Sequence, residues 1–357
     1  LLISLLNSQD IPRELLEKVK SPIVVDTFIH ELNKHSLVEL PSAKSNDFRK
    51  FSIHKRIQQI ALSHLERRFT VKHFREPVRK LSSSINGATL HAIENEDIAK
   101  IRQLRGHFQE LLKHKKVLSD ADLAGLTEKL GKIYIYINKF KRAKTVLLES
   151  LSIHKRLFGA NHIKTASVLT NLGEVYLHMG QAGKAIETIK NSLKITEQTY
   201  GKEDVRFAKV ALRLDSPYRL FSDSLSAFKY GNMGYQILKK HHGEDHIDTA
   251  YAAVKLGHIH KNLGEFEKAL ELLKKGSSVL EKTYGPRHIR TAWSYIRLGN
   301  LYEVLGYYER ANELLQKSYD IYSKHYGNHH SCTAWVLAYL GEISDKLGNH
   351  EEAKTYL

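Results

Sequence analysis

The sequence is poor in cysteine: Cys332 is the only one in 357 residues. A single thiol excludes an intramolecular disulfide framework and any CxxC zinc site, and it points to a reducing compartment, expected to be the cytoplasm. Apolar runs are short throughout. None approaches the ~18 residues needed to span a bilayer, so a soluble chain without a membrane partner is expected. Acidic side chains are the minority, 39 against 55 lysines and arginines, for a formal charge of +16. The chain opens at Leu1 in LLISLLN with no methionine and no basic leader, which reads as the interior of a helix in a longer polypeptide rather than a signal peptide. A phosphate-cradling GxxxxGK[ST] loop is also missing. The nearest approach, Gly125 to Lys132, has one residue too many between its glycines and Ile133 where the hydroxyl belongs.

What is present is a folded composition, 42% hydrophobic and 26% charged. At this length two domains or an elongated array is favoured over one core. The array is written in the sequence. An aromatic or histidine followed by glycine recurs at Phe158-Gly159, Tyr200-Gly201, His242-Gly243, Tyr284-Gly285 and Tyr326-Gly327, with successive glycines 42 apart. Alanines hold the same register at 166, 208, 250, 292 and 334, and again at 143, 185, 227, 269, 311 and 353. Leu-Gly pairs recur at Gly131, Gly173, Gly257, Gly299 and Gly341, and turn glycines at Gly180, Gly264, Gly306 and Gly348.

One unit explains the columns. Val168, Leu169, Leu172, Val175 and Tyr176 fall at three- and four-residue steps and predict a first helix, A, with one buried stripe that Gly180 ends. Ala185, Ile186, Ile189, Leu193 and Ile195 predict a second helix, B, closed by Tyr200-Gly201. Such a hairpin cannot bury its apolar face alone, so the units must stack. The pattern resembles the tetratricopeptide repeat in its long form, as in kinesin light chains and nephrocystin-type proteins, over residues 123–357, about five and a half units. One unit departs from it: Asp215-Ser216-Pro217 stands where Leu-Gly-Glu-Val belongs. Proline inside a helix costs ~3 kcal/mol, so helix A of that unit is expected to kink or break, as drift in a tolerant array or as a hinge.

Residues 1–70 have another rhythm. Pro12 is placed in the first turn of a helix reaching Val19, a second helix carries Val25, Phe28, Ile29 and Leu32, and two short strands, Leu37–Leu40 and Phe51–Ile53, flank a polar loop from Pro41 to Lys50. A helix through Ile57, Ile60, Ala61 and Leu65 follows. Helices followed by a two-stranded wing suggest a winged-helix domain. HSLVEL, the polar wing and FSIHKRIQQIAL together resemble the winged-helix segment that follows the nucleotide-binding domain in NB-ARC-type STAND ATPases. That resemblance implies a nucleotide-phosphate contact for His54, with Lys55 in place of the usual acidic residue. Residues 71–122 read as a helical connector with a basic stretch at Arg67, Arg68, Lys72, Arg75, Arg79 and Lys80 and a break at Ser82–Gly87. The expected architecture is therefore all-α: a tetratricopeptide-repeat superhelical solenoid (123–357) behind a small N-terminal winged-helix (α+β) domain.

No Ser-His-Asp or Cys-His arrangement is identifiable, and without a phosphate loop the chain is expected not to be an enzyme. It has no cofactor of its own; ATP or ADP would belong to a domain upstream of Leu1. His162, His246, His288 and His330 occupy one repeat column just before helix A, where a local hydrogen-bonding role outweighs metal binding. The informative columns lie on helix A, which lines the concave face in the resembled family. One holds Lys129, Asn171, Arg213, Lys255, Arg297 and Tyr339; one turn back stand Ser167, Lys209, Tyr251, Trp293 and Trp335. The resemblance implies that Asn171 binds peptide backbone.

The repeats carry 34 basic and 24 acidic side chains. Cations beside indoles suit an acidic segment with an aromatic or aliphatic anchor, unless Trp293 and Trp335 pack between helices instead. Residues 129, 171, 209, 213, 251, 255, 293, 297, 335 and 339 are thus the candidate peptide-binding groove. The function expected is a protein-interaction scaffold or sensor module of a STAND-like signalling protein. A nucleic-acid-binding regulator using the winged helix and the basic surface is the alternative.

Overall fold

In the computed structural model, residues 2–40, 50–68 and 71–356 are described, and they divide into two compact units, Leu1–Ala160 and Asn161–Leu357. No helix among the described residues is long and apolar enough to cross a membrane.

The first unit opens with a 3₁₀ turn at Leu2–Leu5 and a small three-stranded antiparallel sheet. Strand β3 (Lys50–Ile53) lies between β1 (Ile11–Pro12) and β2 (Val38–Glu39), with Ile11 opposite Phe51 and Val38 opposite Ile53. The inward side chains Ile11, Phe51 and Ile53 are buried, in keeping with the two-residue period of a strand. Helix α1 is Arg13–Glu17, shorter than its pattern suggested. Pro12 caps it from the preceding strand instead of sitting in its first turn, and it keeps extended geometry at φ −69° and ψ 126°. Helices α2 (Pro22–Lys34) and α3 (Lys55–Arg68) follow. Of the polar loop expected from Pro41 to Lys50, residues 41–49 lie outside the described residues, as do the side chains of Arg67, Arg68, Lys72 and Arg75.

The break expected at Ser82–Gly87 does not occur. Helix α4 runs unbroken from Val71 to Glu94, because Val78, Leu81, Ile85, Ala88 and Ala92 form one buried stripe through the segment. Burial of that stripe outweighs the weak helix propensity of Ser and Gly, which is a fraction of a kcal/mol per residue to ~1 for Gly. Helix α5 (Ile98–Leu111) adds Ile101, Leu104, Phe108 and Leu111 to the same core. The first repeat, α6 (Asp120–Tyr136) and α7 (Phe140–Phe158), completes the unit.

The second unit is a stack of helix pairs. Helices α8 (Ile163–His178) and α9 (Ala182–Tyr200) are A and B of one repeat. At Gly173 an added Cβ would lie 2.3 Å from Cγ1 of Ile189, so only glycine lets the two helices approach this closely. Gly180, at φ +72°, makes the left-handed turn between them.

The repeat that departs in sequence departs in structure. Its helix A is two pieces, α10 (Val205–Ala211) and α11 (Asp215–Leu220), before α12 (Ser224–His242). The interruption places Pro217 in the first turn of α11, where its missing N–H leaves no intrahelical bond unmade. The remaining pairs are α13 (Ile247–Asn262) with α14 (Phe266–Tyr284), α15 (Ile289–Val304) with α16 (Tyr308–Tyr326), and α17 (Ser331–Lys346) with α18 (His350–Tyr356).

Candidate functional site

The histidine column caps helices. Nδ1 of His162, His246, His288 and His330 accepts the backbone N–H two residues on, at 3.1 to 3.2 Å, and Asp204 does the same for α10 at 2.7 Å. Each is the side-chain N-cap that an α-helix's orphan donors require. The rings also stack on the aromatic column, Tyr284 on His288 with centroids 4.3 Å apart and Tyr326 on His330 at 4.2 Å. His242 replaces the tyrosine and stacks on His246 at 4.2 Å, which brings His242, His246 and Asp248 together with ligand atoms within 4.8 Å of one another. Their geometry suits capping better than chelation. Nδ1 of His246 already accepts a hydrogen bond, Lys209 Nζ occupies Asp248 at 2.8 Å, and in-plane lone pairs of stacked rings do not converge on one ion.

On the helix-A face of the second unit, α13, α15 and α17 bring the aromatic candidates into one ladder. Tyr251 stacks on Trp293 with centroids 4.6 Å apart and planes 24° apart. The Arg297 guanidinium lies 5.7 Å from the Trp293 ring and 4.8 Å from that of Trp335, and Trp335 meets Tyr339 edge-on at 5.1 Å. Both indoles are half-buried: they rest against the core without being sealed inside it.

Beneath the ladder is a charged network in which the broken helix takes part. Asp215, whose side chain is 3% exposed, receives Arg219 Nε at 2.7 Å and Lys255 Nζ at 3.2 Å. Burial alone would raise its pKa, but Lys255 and Arg219 outweigh burial and hold the carboxyl below its ordinary value. Lys255 also donates to the Leu212 carbonyl at 3.2 Å. Nε2 of His258 accepts from Arg219 at 3.0 Å and from Arg297 at 3.2 Å, and its buried Nδ1 has no partner. Burial, then the positive charge of Arg297 and Arg219, pushes His258 well below its usual value, so the imidazole is neutral. Burial and the nearby Arg219 lower Arg297 to about 10. Lys261, lowered by burial and by Arg297, donates to Asn300 Oδ1 at 2.6 Å. Asn300 in turn donates to Glu303, which Lys346 reaches at 2.5 Å.

The other candidates are not members of this network. Lys209 pairs with Asp248 and Arg213 with Glu174 at 3.3 Å, both at the exposed edge, and Asn171 is buried on α8. Lys129 belongs to the first unit, half-buried on α6, its ammonium lowered by burial and by Lys132. His54 is exposed at the head of α3, where Nδ1 accepts the Arg56 N–H at 3.4 Å. Arg219, His258 and Lys261 were not singled out by the columns. A signal for them was present all the same: the pairs Arg219–His258, His258–Arg297 and Lys261–Asn300 are each 39 residues apart, close to one repeat.

The sequence matches the tetratricopeptide repeat family over residues 122–204 and 248–324, so the helix pairs within those stretches are tetratricopeptide repeats and the fold is a mostly helical solenoid. No curated protein sequence matches the chain. Among solved structures it is similar to a Rap protein complexed with Competence and Sporulation Factor (12% identity, 93% of this chain and 89% of that one, TM-score 0.54). It is also similar to the apo form of the quorum sensor NprR from B. thuringiensis (14%, 93% and 95%, TM-score 0.51). A third is a STAND protein with a tetratricopeptide repeat sensor from Pyrococcus horikoshii (17%, 99% and 54%, TM-score 0.51); this chain spans about half of that protein's length.

Proposed function

We propose that this chain is the ligand-capturing and transmitting part of a STAND-like signalling protein, a non-enzymatic module whose helix-A face binds a peptide segment. The observation that carries the reading is Arg297, a cation set between two half-buried indoles on that face, with Tyr251 extending the aromatic surface. Aromatic and Arg side chains in this setting supply most of the energy of a typical interface. The cationic excess of the repeats favours an acidic segment, its anchor residue lying against the indoles. The neighbours agree in kind: one was solved with Competence and Sporulation Factor, and another is a STAND protein whose sensor is built of these repeats.

The small three-stranded sheet, with β2 and β3 between α2 and α3, supports a winged-helix reading of the first seventy residues, and a nucleotide domain upstream would then supply ATP or ADP for His54 to sense. The nucleic-acid alternative gains nothing from α2, which exposes Ile23 and Val24 where a recognition helix would present cations.

Selection of displayed peptides on the chain tests the reading. Acidic sequences with an aromatic or aliphatic anchor are expected, bound at least tenfold more weakly by Trp293→Ala. Selected peptides indifferent to Trp293→Ala and Arg297→Gln would place the binding surface elsewhere.

A further inference from the structure

We propose that the Arg219–His258–Arg297 cluster is a subsite for a phosphomonoester, presented on a phosphorylated serine or threonine of the peptide ligand; this rests on the peptide-binding reading. Two guanidiniums donate to the same imidazole nitrogen, at 3.0 and 3.2 Å. A neutral lone pair fixes their positions without offsetting their charge.

Arg219 is committed on its remaining edges, with Nε on Asp215 and Nη2 3.4 Å from the Ser216 hydroxyl. Arg297 differs. Among the described residues only its Nη1 is engaged by protein and it has no carboxylate partner, and the rings of Trp293 and Trp335 lie 5.7 and 4.8 Å from its guanidinium carbon. A guanidinium flanked by two indoles, with its Nε and Nη2 not engaged by described residues, is set to fork a tetrahedral or planar oxyanion.

Charge decides between them. The cations acting within the network are Arg219, Lys255, Lys261, Arg297 and Lys346. The carboxylates are Asp215, Glu303 and Glu342. Five against three leaves an excess of two. A carboxylate or a phosphodiester brings one negative charge, whereas a phosphorylated side chain brings about two at neutral pH together with three acceptor oxygens. The paired guanidiniums meet where the third repeat breaks, since α11 is what delivers Arg219 to His258.

Trp293 and Trp335 are the chain's only tryptophans, so intrinsic emission reads this site directly. The probes are acetyl-Ala-Ala-phosphoserine-Ala-Ala-amide, the same peptide with glutamate for phosphoserine, and inorganic phosphate, at pH 7.5 and fixed ionic strength. The phosphopeptide is expected to give a saturable change with a Kd at least tenfold below those of both other probes. Arg297→Lys should weaken it tenfold or more while the far-ultraviolet spectrum and the unfolding midpoint stay those of the parent chain, and Arg219→Lys, which also loosens the buried Asp215 pair, should weaken it as much with the far-ultraviolet spectrum unchanged. Equal binding of the glutamate peptide or of free phosphate, indifference to both lysine variants, or no saturable change overturns the proposal. Selected unphosphorylated peptides that still depend on Trp293 would then show that the subsite alone has failed; loss of both would remove the peptide-binding reading with it.

Discussion

A carboxylate as enclosed as Asp215 persists only because two cations reach it, and removing it leaves Lys255 and Arg219 buried with no counter-charge. Breaking a buried ion pair by deleting one partner costs roughly 3–5 kcal/mol. Asp215→Ala is therefore expected to lower the unfolding free energy of the second unit by about that amount in urea titration, whereas Asp204→Ala, which removes an exposed helix cap, should cost about 1 kcal/mol. His107 gives a pH dependence in the first unit. It is fully buried, Nδ1 accepting the Asn7 N–H and Nε2 donating to the Asp10 carbonyl, each at 3.2 Å. Burial pushes its pKa down to about 4 against the backbone bond to Asp10. The neutral form belongs to the folded state, so its contribution is complete above the unfolded value near 6.5. It is lost as pH falls from there through 4, by roughly 3 kcal/mol at most. Unfolding midpoints measured from pH 7.5 to 4 should fall more steeply for the parent chain than for His107→Gln, by about one proton; parallel curves would assign the acid sensitivity to other groups.

Elements obey the repeat wherever caps and glycines speak, and leave it where burial or charge decides. The 42-residue spacing made the helix pairs, their turns and the break near Pro217 legible, because each depends on local chemistry: a left-handed glycine, a capping histidine, a proline without an N–H. The continuity of α4 was not legible. Its Ser-Ser-Ser and Gly look like a terminus, and only the core formed with α5 shows that Leu81 and Ile85 hold the helix through them. The Asp215 network was legible only in Lys255 and Arg297, which stand in the helix-A column; its other members are polar residues on separate helices, and nothing local distinguishes them from solvated charges. Their spacing of about one repeat is the ruler that brings them into view. Pro217 sits in the first turn of α11, so Pro217→Ala should shift stability by less than about 1 kcal/mol. Gly173→Val, forced against Ile189, should cost about 1–3 kcal/mol or more. Thermal unfolding of the two variants side by side checks the contrast; a large loss for Pro217→Ala would mean the proline itself holds the break.

On the scale of the whole molecule, the +16 charge acts at distances where no single pair does. At low ionic strength a field of that sign gathers acidic segments and speeds encounter, and a Debye length of about 8 Å at physiological salt confines the effect to the last approach. The aromatic ladder works at contact and governs how long a bound segment stays. The two contributions therefore separate in kinetics. For an acidic peptide selected on the chain, the association rate should fall about tenfold or more between 50 and 500 mM salt while dissociation changes little. Trp293→Ala should show the converse, near-parental association and faster release. Stopped-flow mixing followed by tryptophan emission measures both in the parent chain, with peptide-borne fluorescence serving for the Trp293 variant. If salt instead accelerated release and left association unchanged, the charges would act only as contact pairs within the face, and the basic surplus spread over the other repeats would play no part in capture.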